Sequence, residues 1–154
     1  MSLLFKDFAS WRQHCADTGE PLYRPVLTYE AEQKGRTETE VRAGLRAAYQ
    51  VMQEAVETGL RETMRSRSGM VDGGGQRIFR SSVTVLSPEF QRLVARAVAA
   101  KEVNSCMGRV VAAPTAGASG ILPGVLTTLQ EVHGLDEARV LEGMLVAAGV
   151  ALII

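Results

Sequence analysis

TETEVRAGLRAAYQVMQEAVETG, running from Thr37 to Gly59, decides the fold class. Thr37-Glu38-Thr39-Glu40 is a capping-box signature, in which the Thr37 hydroxyl accepts from the Glu40 N–H and the Glu40 side chain reaches back. Behind it Val41, Leu45, Ala48, Met52 and Val56 recur at spacings of three and four, so they share one helical face. Arg42, Arg46, Gln53 and Glu57 take the opposite side and read as a solvated surface. Gly59 reads as the stop.

The same period extends in both directions. Towards the N-terminus, Leu4, Phe8, Trp11 and Cys15 share a helical face that Gly19 and Pro21 end. A short second helix is expected over Pro25 to Lys34, with proline in its first turn and Gly35 just past its end. Towards the C-terminus, Ser87 is an N-cap and Pro88 a first helical residue. Phe90, Leu93, Val94, Ala97 and Val98 form the stripe of that helix, expected to continue to about Met107. A further helix is expected from about Pro123 to Val132, and Asp136 can cap a last one that includes Val140, Leu141, Met144, Leu145 and Ala148. Between them, Arg61 to Arg80 reads as a loop, because Ser66, Ser68, Gly69, Gly73, Gly74 and Gly75 break every period. No period-2 run or hairpin signal competes. The expectation is an all-α chain, one helical domain over residues 1–154, without repeats or a linker.

Composition excludes several classes. The 154 residues are 46% apolar and 22% charged, with 17 Lys plus Arg against 17 Asp plus Glu. This balance gives no electrostatic footprint for nucleic acid. Met144 to Ile154 is an unbroken apolar or glycine run, too short to span a bilayer, so it reads as a buried helix and no membrane is expected. An apolar end of this kind leads us to expect that the polypeptide continues, that another chain covers it, or that it self-associates as a homo-oligomer. Met1 to Asp17 lacks the basic-then-apolar order of a secretory signal, so the cytoplasm is the expected setting. Cys15 and Cys106 form no C-x-x-C pair and are too few for a zinc site or an all-cysteine cluster, so no metal ligand is assigned. The sequence leaves a disulfide between them open.

Three segments could carry chemistry. In Ser68-Gly69-Met70-Val71-Asp72-Gly73-Gly74-Gly75, backbone N–H groups could converge on an anion; the alternative is a surface turn. No Gly-Lys-Ser/Thr follows, so it is not a P-loop. Pro114-Thr115-Ala116-Gly117-Ala118-Ser119-Gly120 feeds a helix and could offer N–H groups and the Thr115 and Ser119 hydroxyls; the alternative is a helix crossing that admits only small residues. Cys106, in Asn104-Ser105-Cys106-Met107-Gly108-Arg109, is more simply a core residue than a ligand. His14 and His133 sit near helix ends without telling partners, and no catalytic base is named.

The run EVNSCMGRVVAAPTAGASGILPG, Glu102 to Gly124, resembles the segment E-V-N-x-x-M-G-x-I-V-A-x-P-T-A-G-x-x-G-I-L-P-G of iron–sulfur-dependent L-serine dehydratase α chains. The Pro-Thr-Ala-Gly form is similar to the version with separate α and β chains; single-chain enzymes more often have asparagine in place of Ala116. Ser68 to Gly75 resembles the family's S-G-L-T-G-G-D element, with the acid, Asp72, moved ahead of the glycines. Placement of the helix at Thr37 to Gly59 also suits the family's N-terminal region.

The resemblance implies conversion of L-serine to pyruvate and ammonia, without pyridoxal phosphate (no PLP), on a helical domain holding a [4Fe–4S] cluster. Three cysteines would hold that cluster and leave one iron open as Lewis acid for the serine hydroxyl. Their motifs, G-C-Q-x-E, C-D-P-V and V-P-C, would lie beyond Ile154, in the remainder of the α chain, and neither Cys15 nor Cys106 matches one. A separate β chain is the implied partner. For this segment the resemblance implies substrate orientation by Ser68, Gly69, Asn104, Pro114, Thr115, Ala116 and Gly117, with Asn104 supporting the second loop. Two rival readings are a related cluster enzyme acting on cysteine and a non-catalytic helical assembly fragment.

Overall fold

A computed structural model describes residues 5–82, 85–113 and 115–154. The described residues form seven helices: α1 (Phe8–Thr18), α2 (Tyr23–Lys34), α3 (Glu38–Arg61), α4 (Gly74–Arg80), α5 (Pro88–Ser105), α6 (Ile121–His133) and α7 (Glu137–Ile153). Apart from an isolated antiparallel bridge between Arg65 and Asp72, they contain no β pairing. The fold is all-α, as the periodicity indicates. None of these helices is long and apolar enough to cross a membrane. Two compact units divide the chain: one runs to Ala47 and takes in Glu137–Ile154, the other is Ala48–Asp136.

In the first unit, local capping sets the helix starts. Asp7 Oδ1 accepts from the Ser10 N–H at 2.7 Å, and Ser10 Oγ accepts from the Asp7 N–H at 3.2 Å. Thr37 and Glu40 make the expected reciprocal pair, with Glu40 Oε2 2.7 Å from the Thr37 nitrogen and Thr37 Oγ1 3.2 Å from the Glu40 nitrogen. Gly19 and Gly35 end α1 and α2 in the left-handed region. α2 starts two residues before Pro25, which falls within its first turn. Leu4 lies outside the described residues. The rest of its stripe behaves unevenly: Trp11 and Cys15 are buried, while Phe8 is half exposed.

Trp11 organises this core. Its ring stacks on Phe5 at 4.9 Å between centroids, and its Nε1–H donates to the Leu22 carbonyl at 3.1 Å. Its polar handle is thus satisfied while the ring is wholly buried. Val26, Leu27, Ala31, Val41 and Leu145 complete the cluster. α7 approaches so closely that a Cβ at Gly149 would sit 2.4 Å from the Trp11 ring and 2.7 Å from Val26. Of the apolar run at the C-terminus, Met144, Leu145 and Gly149 are buried, as are Val140 and Leu141 just before it, whereas Leu152 and Ile154 are exposed.

The second unit is built on α5. Ala95, Ala99 and Ala100 are completely buried, and glycines on the helices around them bring backbone against backbone. A Cβ at Gly59 of α3 would lie 2.3 Å from the Ala99 carbonyl oxygen, and one at Gly75 of α4 would lie 2.6 Å from the Ala99 nitrogen. At α6, a Cβ at Gly120 would meet the Ala97 oxygen at 2.2 Å, and one at Gly124 the Ala97 nitrogen at 2.7 Å. Gly59 is thus a packing residue, and α3 continues past it to Arg61. At its other end α5 stops at Ser105. Met107 takes a left-handed φ of 65°, and the Gly108 N–H returns to the Val103 carbonyl at 2.8 Å, closing the helix.

Candidate functional site

Both loops singled out from the sequence are fastened to the last turns of α5. The first, residues 65–72, is a closed structure. Arg65 bridges to Asp72, with Arg65 Nε 3.1 Å from Asp72 Oδ1. The Val71 N–H donates to Ser66 Oγ at 3.1 Å, the Gly69 N–H to the Ser66 carbonyl at 3.0 Å, and the Met70 N–H to Ser68 Oγ at 3.4 Å. Gly69 has a φ of 72°, which a side chain would strain. Ser68 and Gly69 lie exposed at the tip. Asp72 is paired with both Arg65 and Arg77, so its place is in the loop's closure.

Immediately after this loop the expected coil is a helix. Residues 74–80 form α4, and the physical reason for the difference is tertiary. Gly73, its N-cap, has no side chain to cap with. Glu102, buried on α5, supplies the missing acceptor: its carboxylate accepts from the Gly74 N–H at 2.6 Å and the Gly75 N–H at 3.1 Å. These two donors are therefore occupied by a protein carboxylate and are not offered to an external anion. Sequence reasoning missed Glu102, whose partners lie more than 25 residues away, although it opens the run that carries the resemblance.

The second loop hangs on Asn104. Its Nδ2 donates to the Ala116 carbonyl at 3.0 Å, with Lys101 Nζ 3.5 Å from the same oxygen. The Ala118 N–H is shared between the Thr115 carbonyl at 3.1 Å and Thr115 Oγ1 at 3.3 Å. An oxygen that accepts in this way keeps its own O–H to donate. Thr115, Ala116 and Gly117 are exposed; Pro114 lies outside the described residues. Ser119 is fully buried, and its hydroxyl has no hydrogen-bond partner among the described residues. Gly120 and Gly124 serve the tight crossing of α6 on α5.

Glu102 and Asn104 are two residues apart, so on a helix they project about 200° from each other and tie the loops to different flanks of α5. Among the described residues no hydrogen bond joins Ser68 or Gly69 to Thr115, Ala116 or Gly117. A cleft of about 240 Å³ in the same unit is lined by Gln53, Glu57, Arg96, Thr127, Gln130 and Glu131, among others, and by none of the predicted site residues.

The remaining candidates are structural. Cys15 and Cys106 are free thiols. Burial pushes the Cys15 thiol above its ordinary value and Glu20 adds to this, so it is poorly suited to act as a thiolate. His14 pairs with Glu20 at 3.9 Å and His133 with Glu89 at 3.6 Å. Among the described residues no three His, Cys, Asp or Glu side chains gather as a metal site. With only two cysteines, this chain's own residues do not fit an iron–sulfur cluster.

Comparison with known proteins supplies the context for this geometry. Residues 17–154 match the family model described as serine dehydratase alpha chain. The L-serine dehydratase alpha chain of Peptoniphilus asaccharolyticus is 32% identical over 143 residues, covering 91% of this chain and 49% of that protein. The probable L-serine dehydratase alpha chain of Bacillus subtilis is 33% identical over 109 residues, 69% of this chain and 36% of that protein. The L-serine dehydratase of Streptomyces coelicolor is 33% identical over 138 residues, covering 83% and 29% respectively. The chain thus spans about half or less of these relatives. No solved structure matches it.

Proposed function

This chain belongs to the serine dehydratase alpha chain family, and from that premise we propose that it is the substrate-orienting part of an L-serine ammonia-lyase. The observation that carries the reading is the pair of exposed loops anchored on α5, one through Glu102 and α4, the other through Asn104. Anchoring matters because orientation requires groups held in place before substrate arrives. Ser68 and Gly69 on one loop, and Thr115, Ala116 and Gly117 on the other, with Pro114 and Asn104, are the residues assigned to L-serine. The donors assigned to its carboxylate are the Thr115 and Ser68 hydroxyls; the Gly74 and Gly75 N–H groups are withdrawn from that role because Glu102 holds them.

In the assembled enzyme a [4Fe–4S] cluster would supply Lewis acidity, with all its ligands outside this chain, and no pyridoxal phosphate is involved. The relatives named as alpha chains support a separate β chain as partner, and a cytoplasmic setting with reduced thiols suits the reading. The test is anaerobic reconstitution with iron and sulfide of this chain alone, and together with the part of a relative's α chain that lies beyond the matched segment and a β chain. Visible absorbance and pyruvate from L-serine should appear only in the full assembly. An assembly that forms a cluster but releases sulfide from cysteine, and no pyruvate from serine, would transfer the site to another substrate.

A further inference from the structure

We infer that Glu102 is a positioning residue for the Ser68–Gly69 loop, acting through α4; the inference rests on the substrate-orienting reading of that loop. A helix start leaves N–H groups without intrahelical partners, and α4 has no cap of its own. Glu102, 6% exposed, provides both carboxylate oxygens to the first two of them. The chain makes room for it: a Cβ at Gly74 would lie 3.1 Å from Glu102 Oε1, and one at Gly75 would strike the Ala99 backbone. Glycine stands where the carboxylate and α5 come nearest.

From α4 the connection continues in two directions. Gln76 Nε2 donates to the Leu60 and Arg61 carbonyls, at 3.1 and 2.9 Å, capping the end of α3. Arg77 donates to the Asp72 carbonyl and pairs with its carboxylate at 3.5 Å. Asp72 in turn closes the loop on Arg65. Gln76 fixes α4 to α3, and Gln91 of α5 holds the far end of α4 through the Ile78 and Ser81 carbonyls, so what Glu102 adds is the seat of the N-terminal end of α4 on α5, and with it the base of the loop. Charge-assisted hydrogen bonds to buried N–H groups are costly to lose, because both donors are then left unsatisfied.

Glu102→Gln separates this role from a local cap. The glutamine amide keeps one acceptor and turns an NH2 towards the other N–H, so in the 154-residue chain amide hydrogen exchange should quicken about tenfold at Gly74 or Gly75 and also at Gly69, Met70 and Val71, while α6 keeps its protection. In the assembled enzyme, KM for serine should rise about tenfold with kcat within about twofold. Gly74→Ala, which pushes a Cβ against the same carboxylate, should reproduce both effects and serves if the first variant fails to fold. Exchange that quickens only at Gly74 or Gly75 would reduce Glu102 to a local cap and overturn the inference. A fall in kcat at unchanged KM would overturn it as well. A wild-type assembly inactive on serine would instead reject the functional reading, and the exchange rates of residues 69–71 would still decide whether Glu102 positions the loop.

Discussion

Glu102 and Asn104, two residues apart near the end of α5, each hold a segment distant in sequence: Glu102 accepts from Gly74 and Gly75, and Asn104 donates to the Ala116 carbonyl. One short piece of helix therefore anchors both glycine-rich loops. Its two side chains make opposite hydrogen-bonding demands, an acceptor at 102 and a donor at 104.

The donor requirement can be tested by charge. Asn104→Ala removes one hydrogen bond and should cost about 1 kcal/mol in urea unfolding. Asn104→Asp should cost more at neutral pH, because a carboxylate would face the Ala116 carbonyl oxygen with no proton between them, a repulsion that Lys101, 3.5 Å from that oxygen, offsets only in part. Acidification below about pH 4 protonates that carboxyl and should narrow the gap between the two variants. Equal stability of both variants at neutral pH would show that Nδ2 is not bound to Ala116.

The packing around α5 predicts opposite outcomes for two glycines. A Cβ at Gly124 would lie 2.7 Å from the Ala97 nitrogen, a backbone atom that cannot step aside. Gly124→Ala should destabilise the chain by about 1–3 kcal/mol, the usual range for overpacking. Gly44, inside α3, meets nothing within 4 Å. Gly44→Ala should stabilise by up to about 1 kcal/mol through helix propensity and a less flexible unfolded chain. Urea unfolding of the two variants side by side checks the sign of each.

What was legible in the sequence was what local chemistry decides. Thr37 and Glu40 lie three residues apart, and Ser87 caps the helix that Pro88 begins, so their partners are in view along the chain. Gly19 and Gly35 end helices for the same local reason. Gly59 and Gly73–75 look identical on paper but have distant causes: Ala99 presses on Gly59 and Gly75, and Glu102 caps the helix that Gly74 and Gly75 begin. Local reading therefore took a packing glycine for a stop and a helix for a loop. The two candidate loops were singled out through the run from 102 to 124 and the segment at 68. The work of Glu102 and Gln76 was not legible, because each acts on backbone atoms that only the fold brings near.

The exposed helix caps predict an acid response. Asp7 and Glu40 are both held below their ordinary values of 3.8 and 4.5, chiefly by backbone N–H donors, Ser10 and Thr37 respectively. A depressed folded-state value contributes stability above the unfolded value, and this is lost as pH falls through the folded one. Asp7→Asn and Glu40→Gln should therefore each be less stable than the parent chain at pH 7. Their deficits should shrink once pH falls below those ordinary values. Thermal unfolding across pH 2–7 would show it (the range spans both groups), and a deficit constant over that range would assign the caps no electrostatic part.

The two thiols should differ in reactivity. Cys15 is buried among Phe5, Trp11 and Val26, and its thiol is pushed up, whereas Cys106 is half-buried at the end of α5. Access favours Cys106, and the raised Cys15 thiol is the poorer source of thiolate. A chromogenic disulfide reagent should consume one thiol at least about tenfold faster than the other in the native chain, and both alike in denaturant. Mass mapping of the fast adduct to Cys15 would contradict the packing around Trp11.

Thr115 is the sharpest test of substrate orientation. Its Oγ1 shares the Ala118 N–H with its own carbonyl, so that N–H keeps one acceptor if the hydroxyl is lost. Thr115→Val keeps the side-chain shape and should cost at most about 0.5 kcal/mol of stability. The same change removes the O–H assigned to the serine carboxylate. In the assembled enzyme it should raise KM for serine about tenfold while visible absorbance stays as in the parent. Thr115→Ser keeps the donor and should stay close to the parent, which separates a missing O–H from a disturbed loop. Unchanged kinetics in the valine variant would confine Thr115 to shaping the turn and leave carboxylate recognition to the Ser68 loop.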